Sequence, residues 1–87
     1  MTVNADPDKL RELAKKLKNA GEQIEQMQRQ ALGALHASAW NDRERQRFEA
    51  DLTRDLKAAT AIGRKLQNDY PKALERKAQA LDNFRRS

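Results

Sequence analysis

The feature that most constrains this chain is an apolar spacing. Leu10, Leu13, Leu17, Ala20, Ile24, Met27, Ala31 and Ala34 follow one another in steps of three and four residues without a break. Such a spacing lays one stripe along a helix and packs it lengthwise on another helix, knobs into holes. A second stripe of the same kind runs through Phe48, Leu52, Leu56, Ala59, Ile62, Leu66 and Tyr70. About half of the chain is Ala, Glu, Lys, Leu or Arg, which is the composition of long helices. With 87 residues, 38% apolar and 5% aromatic, this is one domain with little material for a large core. A domain of this size buries only roughly 60% of its unfolded surface.

The helix ends are marked as clearly as the stripes. Asp6 is a good N-cap, and Pro7 fits the first helical position, where its missing N–H costs nothing. Asp8 and Glu12 suit the positive end of the helix dipole. Gly21 sits beside the seam, either to allow close approach of a neighbouring helix or as a tolerated surface glycine; it lowers helix propensity by about 1 kcal/mol relative to Ala. Gly33, His36, Ser38 and Asn41 mark a turn. The second helix restarts at Asn41, with Glu44 at capping-box spacing. Pro71 then predicts a kink, with Asn68 or Asp69 recapping the chain, and the apolar residues continue as Leu74, Ala78, Leu81 and Phe84.

These signals predict an all-α fold: a single antiparallel two-helix hairpin over residues 1–87. Helix 1 spans about 6–36, the turn about 37–41, and helix 2 about 42–84 with a kink near 68–71, while Arg85 to Ser87 fray. The seam residues are Leu10, Leu13, Leu17, Ile24, Met27, Leu52, Leu56, Ile62, Leu66, Tyr70, Leu74, Leu81 and Phe84. A turn centred near Ala39 sets Leu10 opposite roughly Asn68. The segment after Pro71 then overhangs by ~20 Å at 1.5 Å per residue, leaving Leu74, Leu81 and Phe84 in water. Both the overhang and the half-covered seams predict a second chain, as a homodimer or heterodimer forming a four-helix bundle.

Several chemistries are excluded or disfavoured. There is no cysteine, so disulfides, zinc fingers and thiol catalysis are ruled out. His36 is the only histidine and has no companion ligand, so no metal is expected; it suits the last turn of helix 1. The carboxylates alternate with basic residues on solvated faces, with no pocket to perturb a pKa, so no catalytic residue, enzyme activity or cofactor is expected. No apolar run approaches the ~20 residues of a membrane span. Met1–Lys9 has neither a basic nor an apolar signal region. Synthesis in the cytoplasm is therefore expected, and any export would use no cleaved signal. The net charge of +5 and pI ≈ 9.9 offer nucleic-acid association as an alternative reading. No recognition-helix motif and almost no aromatic for base stacking accompany that charge. Arg43, Arg45 and Arg47 alternate along the helix start and read as solvated surface.

Trp40, the only tryptophan, stands in the predicted turn and is followed by Asn41 and Asp42, with Phe48 beyond. Turns ordinarily use Gly, Asn, Asp and Ser, so this Trp is either an end plug for the hairpin or a knob for a partner. Two long helices, a central turn with tryptophan, and apolar Phe48 and Leu52 after it resemble the WXG100 superfamily, the ESAT-type hairpins of type VII secretion. The resemblance covers nearly the whole chain. Here the turn reads W-x-D, with Asp42 in place of the family's glycine. The family's export motif is a Tyr followed four residues later by an acid, but Tyr70 is followed at that spacing by Leu74, with Glu75 one further on. The resemblance implies a small non-enzymatic secretion substrate, or a helical partner or chaperone, of a type VII-like secretion or toxin system. It implies Trp40, Asn41, Asp42 and Phe48 as the partner-binding turn motif. A related hairpin or a larger secreted effector would be the partner.

Overall fold

The structure, a computed structural model, describes residues 5–86. Met1–Asn4 and Ser87, which enter the signal-region and fraying expectations, lie outside the described residues. The chain is an all-α hairpin. Helix α1 spans Pro7–Ala37 and α2 spans Arg43–Arg64; a π-helical turn over Lys65–Asp69 then joins α2 to α3, Tyr70–Arg86. The α2–α3 arm of 44 residues would be about 66 Å long at 1.5 Å per residue, and the molecule measures 66 × 19 × 15 Å. One continuous arm therefore sets its length.

Local chemistry explains the ends. The Asp6 side chain accepts from Asp8 N at 2.9 Å, and Pro7 follows at the first helical position. At the other end, Ser38 Oγ donates to the Leu35 carbonyl at 2.6 Å, and Ser38 N donates to the same oxygen at 3.2 Å. Ala39 then adopts φ 60°, the left-handed geometry that usually closes a helix with glycine. The α2 cap is Asp42, one residue later than the Asn41 expectation, and its carboxylate accepts from Arg45 N at 3.0 Å.

The seam differs from the predicted one by a single residue at every second step. The positions turned toward the other arm are Leu10, Ala14, Leu17, Gly21, Ile24, Gln28 and Leu35. Ala14 is 2% exposed, while Leu13 is 43% and Met27 65% exposed. On the other arm Leu52, Leu56, Gly63, Leu66, Pro71, Leu74, Ala78 and Leu81 are buried or half-buried. Ile62 at 56%, Tyr70 at 49% and Phe84 at 79% are not. Five predicted seam residues, Leu13, Met27, Ile62, Tyr70 and Phe84, are thus corrected to surface positions. The physical reason is proximity. A Cβ built on Gly21 would stand 2.7 Å from Gly63 O and 2.6 Å from Gln67 Cγ. Where the arms come this close, at the Gly21 crossing, there is room between them only for a glycine.

The π turn explains the rest. Tyr70 N donates to Lys65 O, five residues back. This inserts one residue into the helical phase. Counting seven from Gly63 would put Tyr70 in the seam; the insertion puts Pro71 there instead, and Pro71 is fully buried. Neither Asn68 nor Asp69 recaps the chain, which stays helical through the proline.

The expected overhang is also corrected. Arg11 on α1 reaches Asp82 at 2.6 Å and Glu75 at 3.6 Å, so the start of α1 lies beside residues 75–82 rather than Asn68. Leu74 and Leu81 are half-buried there. The turn apex is not Ala39. At the tip, His36 Nε2 meets Glu49 Oε1 at 3.2 Å, so the first turn of α2 stands beyond the end of α1 and shifts the register of the whole pair.

Candidate interaction surface

The hairpin has two unlike flanks. In an antiparallel helix pair, residues that follow one seam position meet on one side, and residues that precede the other seam position meet on the opposite side. The first flank carries Arg11, Lys18, Thr60, Gln67, Glu75 and Asp82. It is polar and cross-linked. Arg11 sits between Asp82, Glu75 and Asp8, at 2.6, 3.6 and 3.6 Å. The hydrogen bond that Arg11 donates to Asp82 raises the Arg11 pKa above its ordinary value; desolvation opposes it, and the charges of Asp82, Glu75 and Asp8 add to the rise. That guanidinium is charged at any working pH. Nearby, Gln28 Nε2 donates to the Leu56 carbonyl at 3.2 Å. Thr60 Oγ1 lies 3.0 Å from Gln28 Oε1 and 2.9 Å from the Leu56 carbonyl, and its one proton serves either. A polar pair of this kind inside a seam selects one register. An open cleft of about 580 Å³ lies on the same flank, lined by Lys18, Gln67, Asn68, Pro71, Lys72, Glu75 and Arg76.

The opposite flank is apolar. From α1 it takes Leu13, Ala20, Met27 and Ala34, each one residue before Ala14, Gly21, Gln28 and Leu35. From the other arm it takes Phe48, Ile62, Tyr70 and Phe84, each one residue before Glu49, Gly63, Pro71 and Arg85. The six large side chains of this set range from 43% to 79% exposed, and they are the six exposed large hydrophobics among the described residues. The fully buried apolar residues are the small Ala14 and Ala78, with Leu35 nearly so and the two prolines. Scattered exposed apolar residues are normal; their collection on one side, broken on the second arm only by Asp55 and Lys77, marks an interaction surface.

At the tip the structure brings Trp40 and Phe48 together, with ring centroids 5.6 Å apart and planes tilted by 45°. Trp40 is half-buried and Phe48 is 48% exposed. Trp40 Nε1 donates to Asp42 Oδ1 at 2.8 Å, the same oxygen that caps α2 through Arg45 N. Trp40 N also donates to Ser38 Oγ at 3.3 Å. One carboxylate therefore starts the helix and holds the indole, which gives Asp42 a local task a glycine could not perform. Asn41 is exposed. Arg45 is not the solvated residue expected: its side chain is 22% exposed, Nη2 pairs with Glu49 at 3.4 Å, and its buried Nε has no hydrogen-bond partner. Tyr70 and Glu75 diverge, Tyr70 onto the apolar flank and Glu75 onto the polar one, because five residues turn about 140° around a helix.

Among the described residues no group of three or more His, Asp or Glu could hold a metal ion. No helix there is long and apolar enough to cross a membrane. The seam residues missed by sequence reasoning are Ala14, Gln28, Thr60, Gly63 and Pro71, while Gly21 was read as a site of close approach or a surface glycine. On the first helix the available signal was the exact seven-residue recurrence of 14, 21, 28 and 35. Comparison with models of known families, with curated proteins and with solved structures finds no match.

Proposed function

We propose that this chain is a non-enzymatic, WXG100-like hairpin that acts by helix–helix association in a type VII-like secretion or toxin system. One observation carries the reading: the six large apolar side chains that the hairpin leaves exposed all stand on one outer flank. A lone hairpin gains nothing from that arrangement. At about 25 cal/mol per Å² of apolar surface removed from water, a second helical element laid on the flank would recover what the internal seam forgoes. The Trp40–Asp42 turn, the length and the two-arm layout support the family likeness. Tyr70 and Glu75 do not share a face, which favours the helical-partner role over export by the family's tyrosine signal. The partner under this reading is a related hairpin, as homodimer or heterodimer, or the helical segment of a larger effector.

Light scattering on the pure chain, alone and mixed with a hairpin encoded beside it, tests this directly. The expected result is a complex that survives 1 M NaCl. A stable monomer that captures no helical partner would refute it. Nucleic-acid association is a second reading, favoured by the cations Lys18, Lys72 and Arg76 around the polar cleft. It predicts binding to duplex that collapses with salt.

A further inference from the structure

The outer stripe of the α2–α3 arm has an internal symmetry. One residue before Glu49, Leu56, Gly63, Pro71, Ala78 and Arg85, the stripe reads Phe48, Asp55, Ile62, Tyr70, Lys77, Phe84. The pairs Phe48 with Phe84, Asp55 with Lys77, and Ile62 with Tyr70 all share residue 66 as their midpoint. The π turn makes this possible, since it lengthens the central step from seven residues to eight and keeps both halves on one face. Read backwards, the stripe again places aromatic on aromatic, charge on opposite charge, and large apolar on large apolar.

Self-complementarity is what a two-fold interface requires: residue i meets residue j of the copy, and j meets i. We infer that a second copy of this chain docks antiparallel on the apolar flank, with the two-fold axis passing at the level of Leu66. Phe48 then packs on the partner's Phe84 and Ile62 on the partner's Tyr70. Asp55 pairs with the partner's Lys77, and this ion pair occurs twice. The charged pair is available within the monomer. The Asp55 side chain is 76% exposed and, among the described residues, its one ion pair is with its neighbour Arg54, at 3.7 Å, while Lys77 is exposed and makes no ion pair among them. Leu13 and Met27 lie along the same flank and extend the contact. The inference rests on the association reading above and names its partner, geometry and register.

The test is charge exchange, read by sedimentation equilibrium of the full chain. D55K sets Lys against Lys at both sites, and K77D sets Asp against Asp. Each alone is expected to weaken the dimer about tenfold, the size of two partly exposed pairs turned from attraction to repulsion. An equimolar mixture of D55K and K77D restores both pairs and should dimerise within about threefold of wild type, as should the double variant. Circular dichroism should be unchanged, because neither residue lies in the seam. An independent check uses the absence of cysteine. F48C/F84C should cross-link between chains on oxidation, since the two positions lie about 54 Å apart within one chain. Singles that dimerise like wild type, or a mixture that restores nothing, would overturn the register. A wild-type monomer that still captures a different hairpin would overturn this inference and leave the association reading standing. A monomer that captures none would end both.

Discussion

Gly21→Ala makes the sharpest stability test, because two opposing effects have known sizes. In a helix interior, alanine is favoured over glycine by about 1 kcal/mol. On that ground alone the substitution would stabilise α1. The structure reverses the sign. The new Cβ would stand 2.6 Å from Gln67 Cγ and 2.7 Å from Gly63 O. The glutamine can swing aside. The carbonyl is part of the opposite helix and yields only if the two arms separate, which loosens the contacts along the crossing. Overpacking of this kind costs about 1–3 kcal/mol, so the net loss is about 0–2 kcal/mol after the propensity gain.

Gly63, across the same crossing, behaves oppositely. Its nearest neighbours to a built Cβ are at 3.7 and 3.8 Å, ordinary contact, so Gly63→Ala should stabilise by about 0.5–1 kcal/mol. Gly33 has nothing within 4 Å, and Gly33→Ala should gain the full ~1 kcal/mol. Thermal unfolding by circular dichroism at one fixed protomer concentration reads all three, with about 4–8 °C expected per kcal/mol. If Gly21→Ala gained the full ~1 kcal/mol that helix propensity alone predicts, the close crossing, and with it the corrected seam, would be refuted.

Three further outcomes follow from the tip and the polar flank. Asp42→Ala removes both the cap to Arg45 N and the acceptor for the indole, and should cost about 1–2 kcal/mol; Asp42→Asn should retain most of it, and an Asp42→Ala variant as stable as wild type by urea titration would remove the role given to Asp42. Ala39→Gly should stabilise by about 0.5–1 kcal/mol by relieving the left-handed backbone, and a loss of stability would contradict that geometry. Asp82→Asn should lower the melting temperature at low salt, with the difference from wild type shrinking in 1 M NaCl as screening removes the Arg11 attraction.

Much of the fold was legible because it is local. Asp6 and Pro7 announce the first helix, and the three–four spacing announces helices of this length. The seam was harder for a definite reason. Two stripes share Leu10, Leu17 and Ile24 and differ in taking Leu13, Ala20, Met27 and Ala34 or Ala14, Gly21, Gln28 and Leu35. Size favours the first set, but the approach of Gly21 to Gly63 selects the second. That contact joins residues far apart in the sequence. The π turn was likewise unreadable, since only the packing of Pro71 and Ala78 against α1 reveals which phase the last helix keeps. The register failed because a turn's midpoint was used where the first turn of α2 rises past the end of α1. At the candidate site, Trp40, Asp42 and Phe48 were visible as an odd composition for a turn. The two flanks were not, because they appear only once the seam is placed correctly.

The central claim is that the large apolar flank serves association rather than the core, and Ile62→Glu tests it most directly. Ile62 is 56% exposed in the single hairpin, beside the buried Gly63. Circular dichroism and sedimentation equilibrium on the same sample would report folding and molar mass together. The account predicts an unchanged helical spectrum and a fall in mass from dimer to monomer. A variant that loses its helicity would place Ile62 in the core, and one that keeps both its helicity and the wild-type mass would show that the flank is not where the chains meet.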